Sequence, residues 1–230
     1  MRKTTRRMIA ASNVLGELSA LERLIQQIPE IEADALVILG DLAPREAGTR
    51  DYAQLFRLLT HVDLPTFYLP GRQDAPIEEY LREAANIEVV HPQMHGVHGS
   101  YAFAPGYLLV AGLGGEIADD PDAPREEREC LRYPGWEAEY RLKVLRELKD
   151  YPKILLFTTP PAHKGLGEDG SQTVAELIKT YNPRAALVAG AERKQEKLGD
   201  SWVVMPGSLA KGEFSVIDLR EERLEAGAIA

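Results

Sequence analysis

The sequence predicts an α/β fold, and three observations support this. First, short continuous apolar runs, typical of strands buried on both faces, recur at residues 8–11, 35–39, 107–111, 154–157 and 185–189. Second, apolar residues at helical spacing separate many of these runs, so neighbouring strands are expected to pair in parallel. Third, the last forty residues hold two strands with no room for a helix between them.

The helical segments have apolar residues three or four positions apart. They contain, in order, Leu18, Leu21, Ile25 and Ile28; Leu55, Leu58 and Leu59; and Leu142, Leu145 and Leu148. A further helix is expected to begin near Ser171, because a serine hydroxyl suits the N-cap position. The strands at 202–205 and 214–217 are separated by glycine-containing turns, so an antiparallel hairpin is expected to end the chain.

Composition and charge argue against several classes of protein. The chain has 230 residues, of which 44% are apolar and 27% charged, and this suits a single domain over residues 1–230. The net charge of -9 and the scattered basic residues argue against a nucleic-acid partner. Cys130 is the one cysteine, so it cannot form an internal disulfide, and no apolar run reaches the roughly 20 residues that span a bilayer. We therefore expect a cytoplasmic protein without membrane contact.

Turns at the carboxyl ends of buried parallel strands are where open α/β sheets build their sites. Five such turns carry polar or glycine residues, at 12–16, 40–42, 71–74, 158–161 and 190–193. The glycine-rich turn at 112–115 follows another strand and is expected to bring Glu116 or the backbone near the same cleft.

In order and spacing, these five turns resemble the signature segments of calcineurin-like metallophosphoesterases. Those signatures are Asp-x-His-Gly, Gly-Asp, Gly-Asn-His-Asp, a His before a Pro pair, and Gly-His-x-His. The segments 164–171 and 202–208 also look like those of the family's small bacterial members. The resemblance implies a layered α/β/β/α sandwich, with two facing mixed sheets flanked by helices and the five turns at one end.

The residues that would bind two metal ions in that family are mostly replaced in this chain. Asn13 and Leu15 stand for the Asp and His of the first segment, Arg72 and Gln73 for the Asn and His of the third, Thr158 for the His of the fourth, and Ala191 and Arg193 for both His of the fifth. Asp41, the bridging carboxylate in the family, is kept, as is Asp74 at the acidic end of its motif.

The first functional hypothesis is a non-catalytic binder of a phosphate-bearing or other anionic small molecule. Arginine stays charged and cannot ligate a metal, so Arg72 and Arg193 would supply positive charge where the cations sat and would pair with Asp41. Gln73 and Thr158 would complete the ligand-binding site. The opposing interpretation is that both arginines are loop residues directed to solvent.

The second hypothesis keeps one divalent cation, Mg²⁺, Mn²⁺ or Ca²⁺, in a residual or repurposed phosphoesterase. Asn13, Asp41 and Asp74 carry hard oxygen donors suited to such an ion, and His163 would act as acid or base. Asp74 precedes Pro76, however, and is better explained as a turn residue that accepts from backbone N–H groups. A third hypothesis is a scaffold that self-associates or binds a partner, with an inert site.

Overall fold

The computed structural model describes residues 4–167 and 169–229, which form five α-helices and fourteen strands. The helices are α1 (Leu18–Gln27), α2 (Thr49–Leu59), α3 (Ile77–Val90), α4 (Gly135–Leu142) and α5 (Gln172–Tyr181). The strands are β1 (Arg7–Ser12), β2 (Ala35–Leu39), β3 (Thr66–Leu69), β4 (Met94–Gly96), β5 (Ser100–Ala104), β6 (Leu108–Leu113), β7 (Glu116–Ala118), β8 (Arg132–Pro134), β9 (Lys153–Phe157), β10 (Ala185–Val188), β11 (Arg193–Leu198), β12 (Ser201–Pro206), β13 (Glu213–Asp218) and β14 (Arg223–Ala228).

Two mixed sheets of six strands each carry the fold, with the orders β14-β13-β1-β2-β3-β4 and β11-β12-β10-β9-β6-β5. In each sheet four neighbouring strands run parallel, as the alternation of elements predicts. The remaining strands, β13 and β14 in one sheet and β5 and β11 in the other, pair antiparallel. Helices flank the two sheets, which confirms the predicted α/β sandwich.

The apolar strands are buried on both faces because each sheet lies between a second sheet and a layer of helices. In β1, Met8 and Ala10 pack into a core formed by residues of both sheets. Ile9 and Ala11 belong instead to the core shared with α1 and α2. This two-sided burial explains why the strand sequences are continuous apolar runs and do not alternate.

The end of the chain differs from the predicted single hairpin. The strands at 202–205 and 214–217 are parts of β12 and β13, which belong to different sheets. Each pairs with its own antiparallel neighbour, β11 for the first and β14 for the second. Each sheet therefore has its own antiparallel strand pair at one end. The turn residues alone do not determine which sheet a strand joins.

Two helix predictions have different outcomes. Ser171 is the N-cap of α5, and its hydroxyl accepts the N–H of Val174 at 3.2 Å, as predicted. The helix expected through Leu148 ends earlier, because α4 stops at Leu142 and a 3-10 turn at Lys143–Arg146 leads the chain towards β9.

Within 4–167 and 169–229, no helix has the length and apolar character required to cross a membrane.

Candidate functional site

The turns after β1 and β2 are joined by hydrogen bonds next to Asp41. The amide oxygen of Asn13 accepts the backbone N–H of Asp41 at 3.2 Å, and the N–H of Leu15 donates to the carbonyl of Asp41 at 3.1 Å. Asn13 and Leu15 both have positive φ, 52° each, so the first turn curls tightly towards the second. The structure thus brings Asn13 and Asp41 together, as the order of the motifs predicts.

The turn after β3 places Gln73 on Asp41. The backbone N–H of Gln73 donates to Oδ1 of Asp41 and its side-chain amide donates to Oδ2, each at 2.8 Å. Burial raises the pKa of Asp41, while Gln73 and the nearby charge of Arg72 oppose that rise. A Cβ on Gly71 would overlap Asp41, so glycine is what allows these two turns to approach.

Asp74 is fully buried and organises the backbone of the same turns. Its carboxylate accepts the N–H groups of Leu42, Ala43 and Gly71 at 2.7–3.0 Å and the hydroxyl of Tyr52 at 3.2 Å. Burial raises the pKa of Asp74 to about 7, although the backbone donors act in the opposite direction. The geometry matches the interpretation of Asp74 as a turn residue.

Arg72 pairs with Glu116 and not with Asp41, which corrects the expected partner of this arginine. Its Nε lies 2.6 Å from one oxygen of Glu116, and Arg132 holds the other oxygen at 3.1 Å. Burial raises the pKa of Glu116, but the two arginines outweigh that effect and hold it below its usual range. Glu116 approaches the cleft as the 112–115 turn predicts.

Arg193 lies against the strands of the other sheet, in contrast to the expected pairing with Asp41. Its guanidinium donates to the hydroxyl of Ser215 at 3.0 Å and to the carbonyls of Phe214 and Gly227 at 2.9 Å. These three acceptors belong to β13 and β14, so Arg193 ties the end of one sheet to the other. The reason is topological, because β11 is an edge strand whose first residue lies beside β13 and β14.

Thr158 and His163 make local contacts. The hydroxyl of Thr158 donates to the carbonyl of Gly115 at 2.9 Å, which links the turn after β9 to the turn before β7. The ring Nδ1 of His163 accepts the N–H of Gly165 at 3.2 Å, and the backbone N–H of His163 donates to the carbonyl of Gly167 at 3.2 Å. The structure therefore places both residues in turn-stabilising positions. Residue 168, within the 164–171 segment, lies outside the described residues.

A cavity of about 770 Å³ opens beside Gln73, between three loops. The residues that line it are Arg45, Glu46, Ala47, Arg72, Gln73, Ala75, Pro76, Arg128, Glu129 and Cys130. Sequence reasoning missed Arg45 and Arg128 as site residues. Arg45 lies four positions after Asp41, so its closeness to that turn in the sequence could have indicated it as a site residue. Arg128 belongs to a loop without a recognisable motif.

Among residues 4–167 and 169–229, no group of three or more His, Cys, Asp and Glu side chains is placed to hold one ion. The oxygen donors that the second hypothesis assigns to a cation, on Asn13, Asp41 and Asp74, each accept a hydrogen bond from the protein.

Known proteins resemble this chain along its whole length. The protein TT1561 of Thermus thermophilus has a crystal structure that superposes with a TM-score of 0.94 at 56% identity, covering 99% of this chain and 100% of that one. A second solved structure shares 26% identity with a TM-score of 0.88, over 99% of this chain and 100% of its own. A phosphatase of Mycoplasma pneumoniae, 12% identical with a TM-score of 0.52, shares the fold over 100% of this chain and 94% of its own.

No curated protein matches the chain. The family model described as metallophosphoesterase, calcineurin superfamily, matches residues 1–229. The chain therefore belongs to the calcineurin superfamily of metallophosphoesterases.

Proposed function

We propose that this chain binds a phosphate-bearing or other small anionic ligand in the 770 Å³ cavity beside Gln73, and that it does not hydrolyse the ligand through a two-metal centre. The observation that carries the proposal is the convergence of Arg45, Arg72 and Arg128 on that one cavity. The volume lies within the range of roughly 300–1,000 Å³ that is usual for small-molecule sites.

The charge of the cavity supports an anion. Guanidinium groups recognise phosphate and carboxylate through paired N–H donors, and they remain charged at any working pH. Glu46 and Glu129 also line the cavity and Arg72 is paired with Glu116, so Arg45 and Arg128 are the guanidinium groups left to meet an anion. Within the part of the chain that the structure describes, no ion pair involves the guanidinium of Arg45 or Arg128, and both side chains are exposed.

The residues at the family's metal positions do not fit a two-metal centre. Two cations about 3.5–4 Å apart need several carboxylate and imidazole ligands that converge. Leu15, Thr158 and Ala191 offer no such ligand, and Gln73 occupies both oxygens of Asp41 with N–H donors. A cation at Asp41 would compete with these donors for the lone pairs of the carboxylate, which favours binding of an anion over metal-dependent hydrolysis.

The test is thermal unfolding in rising concentrations of inorganic phosphate, against sodium chloride at matched ionic strength. A site of this kind stabilises the fold by about 1.4 kcal/mol when phosphate reaches ten times its Kd. We expect the stabilisation in the unmodified protein and in Arg57→Ala, an exposed arginine outside the cavity, and its loss in Arg128→Ala. An equal response in all three proteins would contradict the proposal.

A parallel activity assay separates binding from residual phosphoesterase activity. Bis(p-nitrophenyl) phosphate is incubated with the protein and Mn²⁺, Mg²⁺ or Ca²⁺, with Asp41→Ala as the matched control. We expect no turnover above the rate with metal alone. Turnover that needs both the ion and Asp41 would replace the binding proposal with that of a residual phosphoesterase.

A further inference from the structure

The four edge strands of the two sheets differ in charge. β11 carries Arg193, Lys194, Glu196 and Lys197, and β14 carries Arg223 and Glu225. β4 and β5, at the other ends of the same sheets, carry no Asp, Glu, Lys or Arg. Charged side chains, lysine above all, prevent an edge strand from pairing with another chain. The molecule therefore protects one pair of edges and leaves the other pair open.

The uncharged edges belong to a longer uncharged segment. Residues 89–115 contain no Asp, Glu, Lys or Arg, whereas a stretch of that length in a chain with 27% charged residues would hold about seven. Burial of β6 accounts for part of the segment, but exposed positions in it are uncharged as well. Val89 is 87% exposed, Tyr101 41%, Phe103 39% and Tyr107 56%. Burial thus does not explain the missing charges.

The exposed aromatic side chains of β5 form a row on the outer face of its sheet. The rings of Tyr101 and Phe103 lie 6.1 Å apart, and Phe103 contacts the ring of Tyr151 at 5.0 Å. Ala102 and Ala104, which alternate with them, pack into the core between the sheets. This alternation is what a half-buried strand requires, except that its solvent side is aromatic instead of polar.

A groove of about 500 Å³ runs beside the row, between the edges of the two sheets. Pro92, Gln93 and His95 line it from the β4 side, and Phe103, Ala104 and Pro105 from the β5 side. Its walls are mainly apolar and carry no Asp, Glu, Lys or Arg. The open strand edge, the aromatic row and the groove therefore adjoin one another.

We propose that a second copy of this chain covers this surface, by antiparallel pairing of β5 with the partner's β5. β5 ends its sheet, so its outer edge has no strand partner within residues 4–167 and 169–229. A two-fold axis through the edge would join the two sheets into one and place Tyr101 opposite the partner's Phe103. Such cross-strand aromatic pairs stabilise a sheet, and two-fold dimers are the commonest closed assemblies.

The net charge of the molecule and the lack of charge around β5 favour a second copy of this chain as the partner at this surface. Each copy carries a net charge of -9, so two copies repel each other at most orientations. The uncharged surface around β5 is where that repulsion is smallest. A foreign acidic or basic partner would gain from charged residues on this surface, and it offers none.

The exposed aromatic side chains would supply part of the area that a stable interface needs. At about 200 Å² per aromatic side chain, the exposed fractions of Tyr101, Phe103, Tyr107 and Tyr151 sum to on the order of 350 Å². A stable interface takes about 800 Å² per partner. The aromatic rings would supply somewhat less than half of it, and the strand backbone and the groove would supply the rest.

The experiment is sedimentation equilibrium of the full chain over about 1–200 μM, a range that spans weak to moderate dimers. We expect a dimer for the unmodified protein and at least a tenfold weaker one for Phe103→Lys, because a charge would be buried at the pairing edge. Tyr140→Lys is the control, since Tyr140 is 66% exposed on α4, outside the uncharged segment. Tyr101→Lys repeats the test at the neighbouring ring, and circular dichroism checks that each variant folds.

The proposal predicts that the β5 variants weaken the dimer and that the α4 control does not. Loss of the dimer in Phe103→Lys or Tyr101→Lys, but not in Tyr140→Lys, supports the proposal. A monomer at every concentration overturns it, and so does a dimer that neither β5 variant weakens. Raised salt provides a further check, because screening of the -9 charges should strengthen this dimer and would weaken one held by ion pairs.

Discussion

Gln73 donates its backbone N–H and its side-chain amide to the two carboxylate oxygens of Asp41, both at 2.8 Å. In the family that this chain belongs to, the corresponding positions are expected to hold a catalytic His and a bridging Asp. Here the same two positions are linked directly by hydrogen bonds. Both oxygens of the Asp41 carboxylate therefore accept hydrogen bonds from the protein.

The first prediction is that the purified protein retains little divalent metal. After incubation with Mn²⁺, Mg²⁺ and Ca²⁺ in turn and removal of free ion, we expect far less than one ion per chain, because the oxygens of Asp41 and Asp74 already accept hydrogen bonds. The measurement is elemental analysis, with Asp41→Ala as the control. A stoichiometric ion that disappears in Asp41→Ala would contradict the prediction and favour a single-metal phosphoesterase.

Arg193→Ala should lower stability and leave phosphate binding intact. The substitution leaves the acceptors of Ser215, Phe214 and Gly227 without their charged donor, a loss of about 1.5–3 kcal/mol in the free energy of unfolding. Urea denaturation measures the change, and the phosphate-dependent thermal shift is measured in parallel.

Lys194→Ala is the matched control, because this exposed neighbour pairs with Glu192 at the surface, at 3.2 Å. We expect a change of less than about 1 kcal/mol there. If Arg193→Ala abolished the phosphate response without loss of stability, Arg193 would belong to the binding site after all.

Gly71→Ala should destabilise the fold by about 1–3 kcal/mol or more, because a Cβ at this position would overlap the Oδ1, the N and the Cα of Asp41. Backbone atoms cannot easily move away from such an overlap. Gly167→Ala is the control, because among the described residues, chain neighbours aside, the nearest atom to its added Cβ is the Cβ of Pro160 at 4.0 Å. Equal stability of the two variants in urea denaturation would show that the turns after β2 and β3 are farther apart than this contact requires.

His98 should make the protein more sensitive to acid. Its Nδ1 accepts the N–H of Gly114 at 3.2 Å, so the neutral ring carries its proton on Nε2, 3.1 Å from the hydroxyl of Tyr133. Burial lowers the pKa of His98 to about 3, and the charges of Arg141 and Arg125 act in the same direction. A neutral histidine is therefore part of the folded structure at neutral pH.

The direction in which stability changes with pH follows from the proton that His98 takes up on unfolding. Between about pH 3 and 6.5 the unfolded chain binds a proton at His98 that the folded chain does not, so stability is present above pH 6.5 and falls as the pH drops. Between pH 7 and 5 the loss is at most about 2 kcal/mol. His98→Gln keeps one donor and one acceptor and should reduce this loss, whereas the exposed His61→Gln should not. Identical pH profiles for both variants would refute the assignment.

Much of the architecture follows from local patterns. The buried strands β1, β2, β9 and β10 appear close to where the apolar runs predict them, since strands covered on both faces need apolar side chains at every position. Ser171 caps α5 as expected, because capping depends on the residues next to the helix.

Other features depend on residues far apart in the sequence. Asp119 accepts the N–H groups of Gln172 and Thr173 at 2.7 and 2.9 Å, so a residue from the β7 end joins Ser171 in capping α5. The assignment of β12 and β13 to different sheets is of the same kind. No local propensity distinguishes these arrangements from their alternatives.

The sequence by itself determined the α/β class and the family, because strand burial and turn motifs depend on residues that are neighbours in the chain. Only the tertiary structure decided what the arginines do. Arg72 and Arg193 are equivalent as charges in the sequence, but one pairs with Glu116 beside the cleft and the other bonds to Ser215 between the sheets. A long charged side chain takes the nearest geometrically suited acceptors, and the packing of distant elements determines which these are.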